Sequence, residues 1–156
     1  MATPVTLADH FVLSASPDRV RRMLNDVPGV VGCIPGAAVV ADNGDGMYTA
    51  AIGVQYGETG VRFTGSVRIV QTAASDVAVR ADGQDPLGSV RAQGEIRLVL
   101  GEHVADGTPV DLAAEFTFTG ILAPLARSAT KIIGPQLMKS FARCLATKLA
   151  REAGPE

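Results

Sequence analysis

The pattern of apolar residues changes at Gly120, and this change constrains the fold more than any other feature of the sequence. Between Ala37 and Thr119 apolar residues recur at alternate positions, interrupted by turn signals such as Asn43-Gly44-Asp45-Gly46, which predicts consecutive antiparallel strands. After Gly120 they recur every three or four positions, which predicts one long helix over residues 121–152. Many strands followed by one long helix are typical of an α+β protein.

The start of the chain adds one strand and two short helices. Val5, Leu7, Phe11 and Leu13 alternate with more polar positions, which predicts a strand with one buried face. Ser16 and Pro17 then suit the N-cap and the first position of a short helix. The apolar segment 27–36 is interrupted by Pro and Gly, so it supports no more than a second brief helix. Residues 1–156 are predicted to form a single domain.

The predicted sheet has one apolar face, and we expect it to curve around the terminal helix. The dipeptide Gly134-Pro135 lies inside that helix, where proline removes one backbone hydrogen bond and its ring clashes with the preceding turn. The sequence therefore predicts a kinked C-terminal helix gripped by a curved antiparallel sheet.

Charge and cysteine content exclude several classes of protein. The chain has 14 Lys and Arg against 16 Asp and Glu, a formal net charge of -2, so it lacks the basic excess of a nucleic-acid-binding protein. It shows no signal peptide and no apolar run near the ~20 residues that span a bilayer, which predicts a cytoplasmic protein. Cys33 and Cys144 are far apart in the sequence, and we expect both to be reduced core residues rather than a disulfide.

The order of elements resembles the helix-grip fold of the START-like (SRPBCC) superfamily. Within that superfamily the chain is similar to the CoxG family of carbon monoxide dehydrogenase subunits, over nearly its whole length. The similarity rests on Leu24-Asn25-Asp26-Val27-Pro28, Cys33-Ile34-Pro35-Gly36, Tyr48 and Phe63-Thr64-Gly65-Ser66-Val67.

The resemblance implies a non-catalytic carrier or adaptor. For this family it implies a link between an aerobic CO dehydrogenase-type molybdenum hydroxylase and the cytoplasmic membrane, with peripheral contact at the inner membrane face. Family members often continue into a tail thought to contact the membrane, whereas this sequence stops at Glu156.

Small residues at inward-facing mid-strand positions predict an apolar cavity, because close packing would call for Leu, Ile or Phe there. The alternative is that the helix lies directly on these small residues and that the glycines relieve strain at bends. The predicted lining comprises Ile52, Phe63, Gly65, Ala92, Gly94, Ile96, Ala114, Phe116 and Phe118 from the strands, and Leu125, Ile132, Met138 and Phe141 from the helix.

This lining suits an aliphatic or isoprenoid molecule. A soluble oxidase must pass electrons to the respiratory chain, so we expect non-covalently bound menaquinone or ubiquinone, or another lipid, and no metal or covalent cofactor. The alternative, from a different class, is a recruitment or assembly adaptor that acts through its surface and holds no ligand.

Residues suited to catalysis are scarce. His10 falls on the solvent side of the first predicted strand and His103 lies beside a hairpin turn, and the sequence suggests no nucleophile or carboxylate partner for either. Zinc, nucleotide and metalloprotease motifs are absent from the sequence. We therefore expect no enzymatic activity, and a START-like hydrolase or cyclase would need a buried polar residue that faces the cavity.

The final predicted helix is basic although the protein is acidic. Basic residues near an apolar pocket can attract a carrier to an anionic membrane, but Lys and Arg are also common on exposed helices and these are spread around the helix. They are Arg127, Lys131, Lys139, Arg143, Lys148 and Arg151.

Overall fold

The order of strands and helices agrees with the sequence prediction. The computed structural model describes residues 4–56, 59–73, 76–102 and 104–153. Within these ranges the elements are β1 (Val5–Leu13), α1 (Pro17–Leu24), α2 (Val27–Val31), β2 (Ala37–Gly44), β3 (Met47–Tyr56), β4 (Thr59–Ala73), β5 (Asp76–Gln84), β6 (Arg91–Leu100), β7 (Thr108–Thr119) and α3 (Ala123–Ala153).

All seven strands form one antiparallel sheet in the order β1-β7-β6-β5-β4-β3-β2. Each strand from β2 to β7 pairs with its neighbour in the sequence, because short turns can join only antiparallel neighbours. β1 joins the sheet beside β7, with Val5 opposite Phe116 and Leu13 opposite Thr108. The α+β prediction, with a curved antiparallel sheet and a long C-terminal helix, is confirmed.

The two short helices close one end of the sheet. The Ser16 hydroxyl accepts a hydrogen bond from the backbone N–H of Arg19 at 3.3 Å, so α1 begins where the sequence predicts. Arg19 Nη2 donates to the carbonyl oxygen of Leu149 at 2.9 Å, which ties α1 to the last turns of α3.

The prediction for the two cysteines is wrong, because the structure joins Cys33 to Cys144 in a disulfide. Their Cα atoms are 5.4 Å apart although 111 residues separate them in the sequence. Cys33 follows α2 and Cys144 lies on the C-terminal half of α3, and folding brings these two elements together. Distance along the chain therefore gave no information about distance in space.

α3 has 31 residues and continues through Pro135 without a break. Pro135 has no N–H to donate to the carbonyl four residues earlier, and the kink predicted there stays a prediction. The helix packs against β1 and β7. Its closest approach is at Gly134, where an added Cβ would lie 2.8 Å from a methyl carbon of Leu7. Glycine thus allows the helix to lie against β1.

The buried core is divided unequally between the two ends of the molecule. The larger cluster joins α1, the C-terminal half of α3 and the adjoining strands around Leu13, Val20 and Leu145. The smaller cluster, at the other end, contains Val5, Val90, Phe118 and Ala123. The N-terminal half of α3 is therefore much less firmly buried than its C-terminal half.

Candidate ligand-binding cavity

An apolar cavity of about 380 Å³ lies between the sheet and α3. Residues of β3 to β7 form its walls, while α2 and α3 cover it. The volume falls within the range of small-molecule binding pockets, roughly 300 to 1,000 Å³. Because α3 rests on β1 and β7, space remains below the helix over the middle strands, where Ala50, Ala92 and Ala114 present small side chains.

The structure brings together all but two of the lining residues that the sequence predicts. Those that reach the cavity are Ile52, Phe63, Gly65, Ala92, Ile96, Ala114, Phe116, Phe118, Leu125, Met138 and Phe141. Ile132 and Gly94 are the exceptions.

Ile132 points away from the cavity and is 64% exposed. Its neighbour Ile133 lines the cavity instead. Both residues are apolar, so the local pattern could not fix the rotation of the helix. Counting back in helical steps from the buried Phe141, through Leu137, gives Ile133 and would have identified the correct residue.

Gly94 faces inward but leaves no free space. A Cβ at this position would collide with the ring of Phe116 and the carbonyl oxygen of Glu115. Gly65 lines the cavity, yet a Cβ there would collide with the carbonyl oxygen of Asp82 on β5. At both positions the alternative explanation applies, because the glycine permits close packing of the sheet. The alanines, rather than these glycines, provide room in the walls.

The sequence analysis missed the part of the lining that comes from α2 and the loop after it. Val27, Val30, Val31 and Ile34 all border the cavity. Their apolar character was visible in the sequence, but nothing local showed that this segment folds over the open end of the sheet. The missed residues of α3 and the turn before it are Leu122, Ala126, Ala129, Thr130, Ile133, Gly134 and Leu137.

The described lining carries few polar side chains: Ser66, Asp82 and Thr130. The Thr130 hydroxyl donates to the carbonyl oxygen of Ala126 at 2.8 Å, a bond within its own helix. Asp82 accepts two hydrogen bonds from Arg91, at 3.0 and 2.6 Å, and these lower the pKa of its carboxyl. Asp82 is therefore an ion-paired carboxylate at physiological pH, and the rest of the cavity offers an apolar surface.

His10 lies on the solvent side of β1, as predicted, but it does have a carboxylate partner. Its Nδ1 is 2.6 Å from Oδ1 of Asp111, which stands directly opposite on β7. The sequence analysis found no such partner because pairing of the first and last strands is a property of the whole sheet. Both side chains are well exposed and neither borders the cavity. His103 lies outside the described residues.

Comparison with solved structures establishes the class of fold. A conserved protein from Geobacillus kaustophilus superposes with a TM-score of 0.76 at 14% identity, over 94% of this chain and 96% of that chain. The Zhui aromatase/cyclase from Streptomyces sp. R1128 gives 0.70 at 16% identity, over 99% and 100%. Norcoclaurine synthase from Thalictrum flavum, in complex with dopamine and hydroxybenzaldehyde, gives 0.62 at 14% identity, over 99% and 91%. The chain therefore has the START-like helix-grip fold.

Sequence comparison then identifies the family. The model of the carbon monoxide dehydrogenase subunit family CoxG matches residues 10–150. The chain belongs to this family, which confirms the resemblance seen in the sequence. A search of curated proteins found no match. In the part of the chain that the structure describes, no helix is both long and apolar enough to cross a membrane.

Proposed function

We propose that this protein is a non-catalytic carrier that holds a hydrophobic molecule in the cavity and serves a CO dehydrogenase-type molybdenum hydroxylase at the membrane. The observation that supports this proposal most strongly is the apolar lining of a cavity of about 380 Å³. Each 100 Å² of apolar ligand surface removed from water contributes ~2.5 kcal/mol. Shape and burial alone can therefore hold an apolar ligand.

An isoprenoid quinone, menaquinone or ubiquinone, is the ligand we propose. Membership of the CoxG family supports the association with a hydroxylase that delivers electrons. A quinone is the apolar electron acceptor of a respiratory membrane, and its isoprenoid tail matches aliphatic and aromatic walls such as Ile52, Phe63 and Phe116. In this role the protein binds the quinone and presents it to the enzyme.

The chemistry of the cavity supports a carrier rather than an enzyme. A catalytic site needs a positioned nucleophile, base or metal. Of the polar side chains in the described lining, Thr130 bonds within α3 and Asp82 is paired with Arg91. The structural neighbours that are enzymes share less than a quarter of their residues with this chain, so their reactions are not transferred to it.

A substitution that fills the cavity tests ligand binding directly. Ala129 lines the cavity on α3, whereas Ala146 is an exposed position on the same helix. We expect Ala129→Leu to weaken the binding of menaquinone at least tenfold, because the added side chain occupies ligand space. We expect Ala146→Leu to bind as the wild-type protein does.

The measurement is equilibrium binding of menaquinone delivered from cyclodextrin, read by absorbance after the protein is separated. Circular dichroism and thermal unfolding establish that both variants are folded. Equal affinity of the two variants would place the ligand elsewhere, and no binding to the wild-type protein would favour a surface adaptor.

A further inference from the structure

Five large apolar side chains are exposed near one end of α3, and together we call them the apolar rim: Leu87, Ile121, Leu122, Leu125 and Ile132. Leu87 is 88% exposed, Ile121 85% and Ile132 64%. Single exposed apolar residues are common on soluble proteins, but a group of this size marks an interaction surface.

Hydrogen bonding and helix geometry bring the members of the apolar rim together. The backbone N–H of Leu122 donates to the carbonyl oxygen of Ser89 at 3.0 Å, which joins the turn before α3 to the loop that carries Leu87. Leu125 lies in the first turn of α3, and Ile132 follows seven residues later, about two turns further along the same side. The apolar rim therefore runs from the β5–β6 loop along the outer side of α3.

The apolar rim is continuous with the cavity. Leu122 and Leu125 line the cavity and are also 40% and 47% exposed, so the cavity wall reaches the surface at this point. Leu87, Ile121 and Ile132 do not line the cavity. An apolar ligand that leaves the cavity beside Leu122 therefore reaches an apolar surface.

The charge beside the apolar rim is positive. From Phe116 to Arg151 the sequence contains no Asp or Glu, although the whole chain carries a formal net charge of -2. Lys131 is exposed one residue before Ile132. Lys139 and Arg143 are exposed two and three turns beyond Ile132, on the same outer side of the helix. Apolar side chains next to basic ones suit a surface with an apolar interior and anionic headgroups.

We propose that the apolar rim docks on an anionic lipid bilayer, with Leu87 and Ile121 among the acyl chains and the lysines at the headgroups. This inference rests on the proposed carrier function, because docking at this point lets the ligand pass between bilayer and cavity without entering water. A protein partner could also cover exposed apolar residues. The bilayer is favoured because it supplies apolar volume for the ligand and negative charge for the helix.

The test is flotation of the purified chain with vesicles of phosphatidylcholine and phosphatidylglycerol, compared with vesicles of phosphatidylcholine alone. We expect the wild-type protein to bind the anionic vesicles and to dissociate as salt is raised. Leu87→Gln/Ile121→Gln should bind at least tenfold more weakly. The matched control is Val12→Gln/Val99→Gln, which changes two exposed valines on β1 and β6 and should bind as the wild-type protein does.

Binding of menaquinone from cyclodextrin separates this proposal from the carrier function. Since Leu87 and Ile121 do not line the cavity, their variant should take menaquinone from cyclodextrin normally but extract it from vesicles at least tenfold more slowly. Vesicle binding equal to wild type in this variant would overturn the docking proposal while leaving the carrier function intact. Vesicle binding that is absent from the wild-type protein, with hydroxylase binding lost in the variant, would make the apolar rim a protein interface and also overturn it. Failure of the wild-type protein to take menaquinone from cyclodextrin would contradict the carrier function alone.

Discussion

Gly94 illustrates how two residues of the same type can have different causes at neighbouring places in one sheet. No heavy atom beyond its chain neighbours lies within 4 Å of the position that a Cβ would occupy on Gly53, whereas a Cβ on Gly94 would overlap Phe116 and Glu115. The sequence shows only that both residues are glycine on a strand. The approach of the neighbouring strand, which decides the role, is set by the whole sheet.

Gly94→Ala should lower the free energy of unfolding by ~1–3 kcal/mol, because either the Phe116 ring or the β6–β7 pairing must move. Gly53→Ala is the matched control and should be close to neutral. Urea unfolding followed by circular dichroism compares them. Equal stability of the two variants would mean that β6 and β7 are not packed as closely as described.

Asp85 is a residue whose ionisation stabilises a loop. It is 7% exposed, and its carboxylate accepts a hydrogen bond from the backbone N–H of Val90 at 2.9 Å. This bond, with those from Ser89, lowers the pKa of Asp85 in the folded protein. A lowered pKa means that the contribution to stability is present above the ordinary pKa near 3.9 and is lost as the pH falls through the lower folded value.

Asp85→Asn should therefore be less stable than the wild-type protein at pH 7, and the difference should shrink below about pH 4. Thermal unfolding of both proteins across this range measures the difference, so that effects of other carboxylates cancel. A difference that is the same at pH 3 and pH 7 would show that the ionised form of Asp85 does not support the loop.

α3 shows which properties of a helix are local and which are not. Its existence and start within two residues follow from the spacing of apolar residues after Gly120. Its rotation does not, because Ile132 and Ile133 are adjacent and equally apolar. The cysteine pairing is likewise invisible locally, because it depends on how the C-terminal half of α3 meets α2. Periodicity thus predicts the elements, while contacts between them need the assembled fold.

The disulfide should contribute strongly to stability, because it links elements that are 111 residues apart. Cys33→Ser/Cys144→Ser should lower the free energy of unfolding by about 2–4 kcal/mol, and a reducing agent should affect the wild-type protein alone. Titration of thiols in the unfolded, unreduced protein should find none. Two free thiols per chain would contradict the pairing.

At the scale of the whole molecule, one end of the fold is packed and the other is open. α1, the disulfide and Leu145 hold the closed end, while the N-terminal half of α3 covers an apolar cavity. Alternation along the strands predicted most of the cavity walls, since inward positions follow from period two. The contribution of α2 could not be predicted, because it depends on where a short connecting segment comes to rest.

The most direct test of the carrier function is extraction of the protein purified from its own host, with mass spectrometry of the extract and ultraviolet absorbance to detect a quinone ring. The proposed function predicts a quinone in an amount approaching one per chain, and much less in Ala129→Leu than in Ala146→Leu. An empty extract from the wild-type protein, followed by no binding of added menaquinone, would contradict the carrier function.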